Sequence, residues 1–376
     1  SYAFFDGANG GGNAQEFTKG YIYVSSWGSA GLRKNSGIFA AYAETGSQRG
    51  PFGWPRSSEV CNTVGCVTSF QFGAIGWTPA GGIHEVTGDA FTVYGQQGFS
   101  QGPLGAPRDA GVAETDVDGT EGIVQRFTGG AIYLSESGNH FLRSSSGITA
   151  RFLAEGGVGG PFGWPRSSET CANGGCWAEF DGGTITWTAT TGVQTVTGEA
   201  SVAYARSGGP AGVLGLPNSP AFRYPVNGGG VAQDFQRGYI YVSEFGAVGH
   251  RKNSGIFQRF AQLGSQYGPL GWPTTDETCP TSRACVAGFQ NGDIVWTSMG
   301  GVRILPAAIA ARYRALGGVT GSFGPPLSDE WRFPVNGGGS AQEFSTGYIY
   351  SSTFGAPPLR KNSGLFQRYA QLGSQY

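Results

Sequence analysis

The sequence predicts a mainly β tandem-repeat fold with one short helix per repeat, seven repeats closing into a ring like a seven-bladed β-propeller. Three observations carry this expectation. A Gly-Pro-Leu/Phe-Gly-Trp-Pro turn recurs at 50–55, 160–165 and 268–273, with looser copies at 102–107, 212–217 and 321–326. An aromatic-rich strand recurs around Ile22, Ile75, Ile132, Ile185, Ile240, Ile294 and Ile349, at spacings of 53, 57, 53, 55, 54 and 55 residues. A unit of that size cannot bury both faces alone, so neighbours must stack, and closing the stack removes exposed sheet edges. The chain, residues 1–376, therefore reads as one repeat domain of seven units of about 54 residues.

Within each unit the elements follow one order. A phenylalanine opens it: Phe17, Phe70, Phe127, Phe180, Phe235, Phe289 and Phe344. Glycine and an alternating strand come next, then a polar turn and a second short strand. A helix-like stretch follows, as in Ser254 to Gly264, where serine suits the start, glycine suits the end and apolar residues fall at helical spacing. The stretch from Ala307 to Gly317 has the strongest helical pattern. The proline turn closes the unit. Its glycines permit backbone angles closed to other residues, and its prolines fix theirs.

The units alternate. The first, third, fifth and seventh carry Gln15, Gln125, Gln233 and Gln342 at their entry, and three of them an Arg-Lys-Asn-Ser-Gly segment at Arg33, Arg251 and Arg360. The third has Arg143 followed by three serines instead. The second, fourth and sixth carry a cysteine pair and end their strand on Trp77, Trp187 and Trp296. Duplication of a two-unit block produces this pattern. Tyr376 stands at the phase of Tyr267 and Ser1 at that of Ser219, so by the repeat only a turn separates the two ends. Seven alternating units place two of one kind side by side in a closed ring; an open or differently closed array is the alternative.

Gly 68 and Pro 20 suggest disorder only until 9 Trp, 16 Tyr and 25 Phe are found at regular spacing. With net charge −1 and 13% charged residues there is no basic stripe for nucleic acid. No apolar run is long enough to span a bilayer, so no membrane insertion is expected. The start at Ser1, without an initiator methionine, suggests a mature or trimmed product. The cysteines fall in close pairs, Cys61 with Cys66, Cys171 with Cys176 and Cys279 with Cys285. Local disulfides made in an oxidising compartment are the plain reading, since zinc needs four ligands and no histidine or second pair lies near in sequence.

Taken together these elements resemble the LGFP repeat family. The Leu/Phe-Gly-X-Pro turn carries the likeness, with the acidic step after it (Ser58-Glu59, Ser168-Glu169, Asp276-Glu277, Asp329-Glu330) and the Phe…Gly…Ile strand. The resemblance implies an exported, cell-wall-associated protein, often joined to an envelope hydrolase. It also implies a propeller-like arrangement and a non-catalytic role in binding cell-wall polysaccharide. The cysteine pairs and Arg-Lys-Asn-Ser-Gly segments lie outside the family pattern.

The inventory excludes the common catalytic constellations. His84, His140 and His250 occupy different phases and read as surface residues. No Gly-X-Ser-X-Gly elbow, His-Glu-X-X-His or phosphate loop is present. Glu59, Glu169, Glu277 and Glu330 recur, whereas a glycosidase needs one unique pair, so they read as acceptors for loop or helix-end N–H groups. Asp116 to Glu121 resembles part of a calcium loop but lacks the remaining ligands, and reads as a solvated turn. No cofactor or metal is expected.

Sugar rings stack on aromatic faces beside orienting polar groups, which makes multivalent, lectin-like binding the sharpest expectation. Candidate residues are the strand-end aromatics Tyr23, Trp77, Tyr133, Trp187, Tyr241, Trp296 and Tyr350, and the turn tryptophans Trp54, Trp164 and Trp272. Packing between repeats is the alternative for each. Arg33, Lys34 and Asn35, with their counterparts, form a rival site for phosphate, uronate or protein, or else a turn leading into a helix cap. The alternative function is a structural or adhesion protein that binds proteins or its own copies at the cell surface.

Overall fold

The computed structural model describes residues 3–373. Among them are seven four-stranded antiparallel sheets and seven α-helices, one helix after each sheet. The sheets occupy residues 3–33, 60–87, 112–143, 170–197, 222–251, 278–306 and 331–360, and in each the four strands neighbour one another in chain order. The helices are α1 (Gly37–Glu44), α2 (Gly88–Gln96), α3 (Gly147–Ala154), α4 (Glu199–Arg206), α5 (Gly255–Gln262), α6 (Ala307–Ala315) and α7 (Gly364–Gln371). The chain divides after Thr195 into two compact units.

The repeat is built at the junctions. Within the first unit, α1, α2 and α3 each pack on the third strand of the following sheet; within the second, α4, α5 and α6 do the same. A separate core forms at each junction. The first gathers Tyr23, Leu32, Ile38, Tyr42, Trp54, Phe70 and Ile75 from one sheet, its helix, the turn and the next sheet. The core around α5 repeats it with Tyr241, Val248, Ile256, Phe260, Trp272, Phe289 and Ile294. The isoleucine of the repeat is thus the floor on which the preceding helix sits, buried at Ile75, Ile132, Ile185, Ile240, Ile294 and Ile349. Ile22, in the first sheet, is exposed.

The proline turn joins these layers. Its glycine has positive φ in every copy: 68° at Gly53, 70° at Gly105, 63° at Gly163, 72° at Gly215, 69° at Gly271 and 74° at Gly324. A side chain there is strained by the backbone and also by space, since a Cβ on Gly271 would lie 2.4 Å from Gln290 Oε1. The carbonyl of this glycine accepts a hydrogen bond from a helix tyrosine in four copies: Tyr42 at 2.8 Å, Tyr94 at 2.6 Å, Tyr204 at 2.9 Å and Tyr313 at 2.8 Å. The proline that ends the turn bridges to the repeat phenylalanine, as in Pro55 with Phe70 and Pro273 with Phe289.

The turn tryptophans are anchored through their ring N–H. Trp54 donates to the Ala8 carbonyl at 2.8 Å, Trp164 to Thr120 at 3.0 Å and Trp272 to Val226 at 2.8 Å. The Asp116 loop serves this purpose. Its carboxylate accepts the N–H groups of Asp118 (3.0 Å) and Thr120 (2.8 Å), which shapes the turn whose carbonyl holds Trp164.

Candidate functional site

The three cysteine-bearing sheets repeat one arrangement of side chains, which in the sheet at 278–306 lines a surface cleft. Antiparallel register sets half of it. Cys61 faces Cys66 and Cys66 faces Trp77 across neighbouring strands; Cys171, Cys176 and Trp187 repeat the row. Cys285 faces Trp296, and a bulge in the outer strand brings Cys279 into place. The disulfides form as the sequence spacing predicts, with Cα atoms 4.0 Å apart in each. A ring on the surface row is therefore backed by a covalent bridge on the adjoining strands.

The preceding helix supplies the other half. Ser36, Ser146 and Ser254 cap α1, α3 and α5, their hydroxyls accepting N–H groups of the first turn. The glycine that starts each of these helices lies against the cleft. A Cβ on Gly147 would meet Val193 at 3.1 Å and the Trp187 ring at 3.6 Å; Gly255 stands likewise to Val302 (3.1 Å) and Trp296 (3.8 Å). Glycine lets the helix end come so close without crowding the valine, which favours Ser-Gly in that segment.

The acidic residue lies between these halves. The Glu59 side chain is 10% exposed and that of Glu277 5%. Arg251 donates to Glu277 Oε1 at 3.1 Å, and Arg33 approaches Glu59 at 3.9 Å. In all three copies Oε2 of the glutamate (Glu59, Glu169 and Glu277) is buried without a hydrogen-bond partner; at Glu59 it is the oxygen that Arg33 approaches, at 3.9 Å too far for a hydrogen bond. Such an atom costs about 1–3 kcal/mol unless something donates to it. Around Glu277 the cleft has a volume of about 190 Å³ and is lined by Arg251, Asn253, Ser254, Cys285 and Trp296.

The structure sorts the expected aromatic residues into two groups. Trp77 and Trp187 are each 40% exposed and Trp296 is half-buried, all three at their clefts. Trp54, Trp164 and Trp272 are fully buried, and Tyr23, Tyr133 and Tyr241 nearly so. Their rings are occupied by protein: Tyr241 lies edge-on to Phe260 and Trp272 at 5.9 and 6.2 Å. They offer no face to a ligand because the turn drives them into the junction cores. Tyr350 is half-buried beside Tyr369.

Other expectations are corrected. His250 is not a surface residue. It lies fully buried in an aromatic core, its Nε2 paired with the Thr275 carbonyl at 2.9 Å, and burial pushes its pKa down against the opposing pull of that carbonyl, Glu277 and Asp276. His84 and His140 are half-buried. Glu277 pairs with an arginine rather than a backbone N–H. The Arg-Lys-Asn-Ser-Gly segment is split in use: Arg33 and Arg251 turn to the cleft glutamate and Arg360 donates to the Ser322 hydroxyl, whereas Lys34, Lys252 and Lys361 pair with Glu16, Asp234 and Glu343 of their own sheets. The Arg–Glu pairing across 26 residues was not visible as a motif. The signal available was the glutamate two residues before the first cysteine in every cysteine-bearing unit.

A serial array of sheet-and-helix units, with cores shared between neighbours and clefts repeated at fixed phase, defines a tandem-repeat protein. The LGFP repeat profile matches residues 52–102, 162–212, 214–268 and 270–321, and the chain belongs to the LGFP repeat family. No curated protein matches it. Among solved structures it is similar to a catalytically inactive virginiamycin B lyase of Staphylococcus aureus (10% identity, TM-score 0.12, 90% of each chain covered). It is similar also to the extracellular domain of a one-component system of B. thetaiotaomicron (13%, TM-score 0.14, 93% of this chain and 42% of the other). A third is PorZ, a surface component of the type-IX secretion system of Porphyromonas gingivalis (9%, TM-score 0.15, 94% and 45%). Likenesses of this size carry no argument about function.

Proposed function

We propose that the protein is a non-catalytic, multivalent binding module for cell-envelope polysaccharide, with Trp77, Trp187 and Trp296 as the stacking platforms of three equivalent sites. One observation carries this reading: a solvent-facing tryptophan recurs beside a buried glutamate whose free oxygen lacks a donor. A sugar offers what that pair lacks, an apolar ring face for the indole and a hydroxyl for the carboxylate. At the third site Arg251 and Asn253, which line the cleft, would orient it. Three weak sites on one chain gain avidity on a polymer. Family membership and three disulfides fit an extracellular, wall-associated protein. Among the described residues no helix is long and apolar enough to cross a membrane. One continuous domain closed as a seven-bladed ring belongs to the same proposal; small-angle scattering that fits an extended rod would remove it.

The test is retention on isolated actinobacterial cell wall before and after its polysaccharide is stripped. Binding should be lost on stripping. Replacing Trp77, Trp187 and Trp296 together by alanine should abolish it, and each single replacement should weaken it about tenfold through lost avidity. Undiminished binding by the triple variant would sink the proposal.

A further inference from the structure

A second cavity, of about 380 Å³, lies in the sixth repeat, where α6 and the turn after it pack on their own sheet; Thr274, Asp293, Tyr313, Arg314 and Gly318 are among its lining residues. The second repeat shows what the same place can hold. There Phe99 stands at the phase of Gly318, Tyr94 at that of Tyr313, Gly95 at that of Arg314 and Arg56 at that of Thr274. The Phe99 ring meets Tyr94 edge-on at 5.6 Å, and a Cβ on Gly95 would lie 3.0 Å from it. The Arg56 guanidinium covers the ring, 5.7 Å from its centre. A six-membered ring thus fills this place in the second repeat. In the sixth, glycine stands for phenylalanine and threonine for arginine, and the place is a cavity.

The walls of the sixth repeat also carry groups that the second lacks. Asp293 accepts a hydrogen bond from Arg314, at phases that hold Ala74 with Gly95 and Thr184 with Ala205 in the other two cysteine-bearing repeats. The Asp293 side chain is 2% exposed and that of Arg314 57%. Burial pushes the Asp293 carboxyl up against the pull of Arg314. Such a pair adds little stability, because desolvation of the carboxylate offsets the attraction, and two small residues serve at these phases elsewhere. We propose that this cavity binds a single pyranose ring, the end residue of a saccharide chain. The sugar takes the position that the phenyl ring of Phe99 takes in the second repeat, its apolar face toward Tyr313 and Val319. Two neighbouring hydroxyls meet the ion pair, one donating to Asp293 and the next accepting from the remaining N–H groups of Arg314. Thr274, Thr275 and Thr278 bring three more hydroxyls to the same cavity. A bare phenyl ring needs none of these groups, whereas a hydroxylated ring uses them all. The volume is near the low end for small-ligand sites, roughly 300–1,000 Å³, which suits a chain end better than a run of polymer. The cavity shares no lining residue with the cleft at Trp296, so this site stands whether or not the tryptophans bind polysaccharide.

The test is saturation-transfer NMR on the intact protein, with the α and β methyl glycosides of glucose, galactose, mannose and N-acetylglucosamine as probes. At least one should give a saturable signal. Gly318→Phe should abolish it. The backbone at Gly318 (φ 57°) matches that at Phe99 (φ 54°), so the ring enters without new strain and restores the filling of the second repeat. Gly318→Ala, which leaves the cavity open, should keep the signal. Asp293→Ala together with Arg314→Ala, which returns the wall to small residues, should weaken binding at least roughly tenfold. Thermal melts check that each variant is folded. The triple alanine variant of Trp77, Trp187 and Trp296 should bind the glycoside as the unaltered protein does, even where it no longer holds cell wall. Loss of glycoside binding in that variant would give the signal to the clefts and overturn the proposal. A signal that Gly318→Phe retains, or none from any glycoside, would overturn it too. Binding of p-cresol in their place, lost in Gly318→Phe, would assign the cavity to an aromatic ligand and overturn it as well.

Discussion

Two tryptophans in the first cleft region show how far a residue's role depends on its phase. Trp54 follows a positive-φ glycine that turns it inward, where it is fully buried with its N–H satisfied. Trp77 ends a strand beside a disulfide and keeps 40% of its surface in solvent. Trp54→Ala should lower the unfolding free energy by about 3–5 kcal/mol, as for other large core truncations. Trp77→Ala should cost below about 1 kcal/mol, yet impair polysaccharide binding. Denaturant titration of both variants tests the contrast. His250 supplies a second prediction at this scale. Its pKa is held below that of the unfolded chain, so the unfolded state takes up the proton first as pH falls. The stability it contributes is complete above about pH 6.5 and is lost below it. The second unit should therefore melt at lower temperature at pH 5 than at pH 7.5. The equivalent residue is leucine at Leu32, Leu142 and Leu359, so His250→Leu should reduce that pH dependence without loss at neutral pH.

At the scale of the element, the alternation in sequence becomes an alternation in helix starts. α1, α3, α5 and α7 begin after a serine whose hydroxyl accepts a first-turn N–H, whereas Thr87, Gly198 and Pro306 precede α2, α4 and α6 without a side-chain cap. Ser254→Ala should cost about 1 kcal/mol, and Thr87→Ala only a few tenths, by thermal or denaturant unfolding. These elements were legible because their causes are local. Serine before glycine, glycine in the turn and apolar residues at a fixed phase each act within a few residues. The cleft was only half legible. Its tryptophans and cysteines stand out by repetition, but the Arg251–Glu277 pair forms only when a helix entrance meets the next sheet's outer strand. The burial of the turn tryptophans was not legible either, since nothing local to Gly-Trp-Pro says which side of the turn meets a core.

For the whole molecule, the shared cores make stability depend on neighbours. α5 and α7 have nearly the same sequence, yet α5 buries Ile256 and Phe260 whereas α7 buries none of its residues, and Leu365 is 79% exposed. Helix propensity is similar in the two, so the difference lies in packing. Amide exchange in α7 should be faster than in α5, by orders of magnitude where α5 opens only with its unit. Equal protection of both helices would show that α7 has a partner in solution. Alternation in sequence made the seven units visible, but the division after Thr195 falls within the last strand of the fourth sheet and has no marker there, because strand and turn residues follow the repeat across it.

The paired cysteines have one more effect. The strands Val60–Asn62, Thr170–Ala172 and Thr278–Thr281 are the outermost of their sheets, three or four residues long and exposed along their length. Strands of this kind invite foreign chains to add to them and seed fibrils. A covalent bolt one strand inward forbids slippage of register and stops the margin from peeling open. Under reducing conditions the three margins lose that bolt together, at a scale too small to disturb the aromatic cores. The protein should then lose colloidal stability before it loses its fold, clumping in reductant at temperatures where each repeat is still intact.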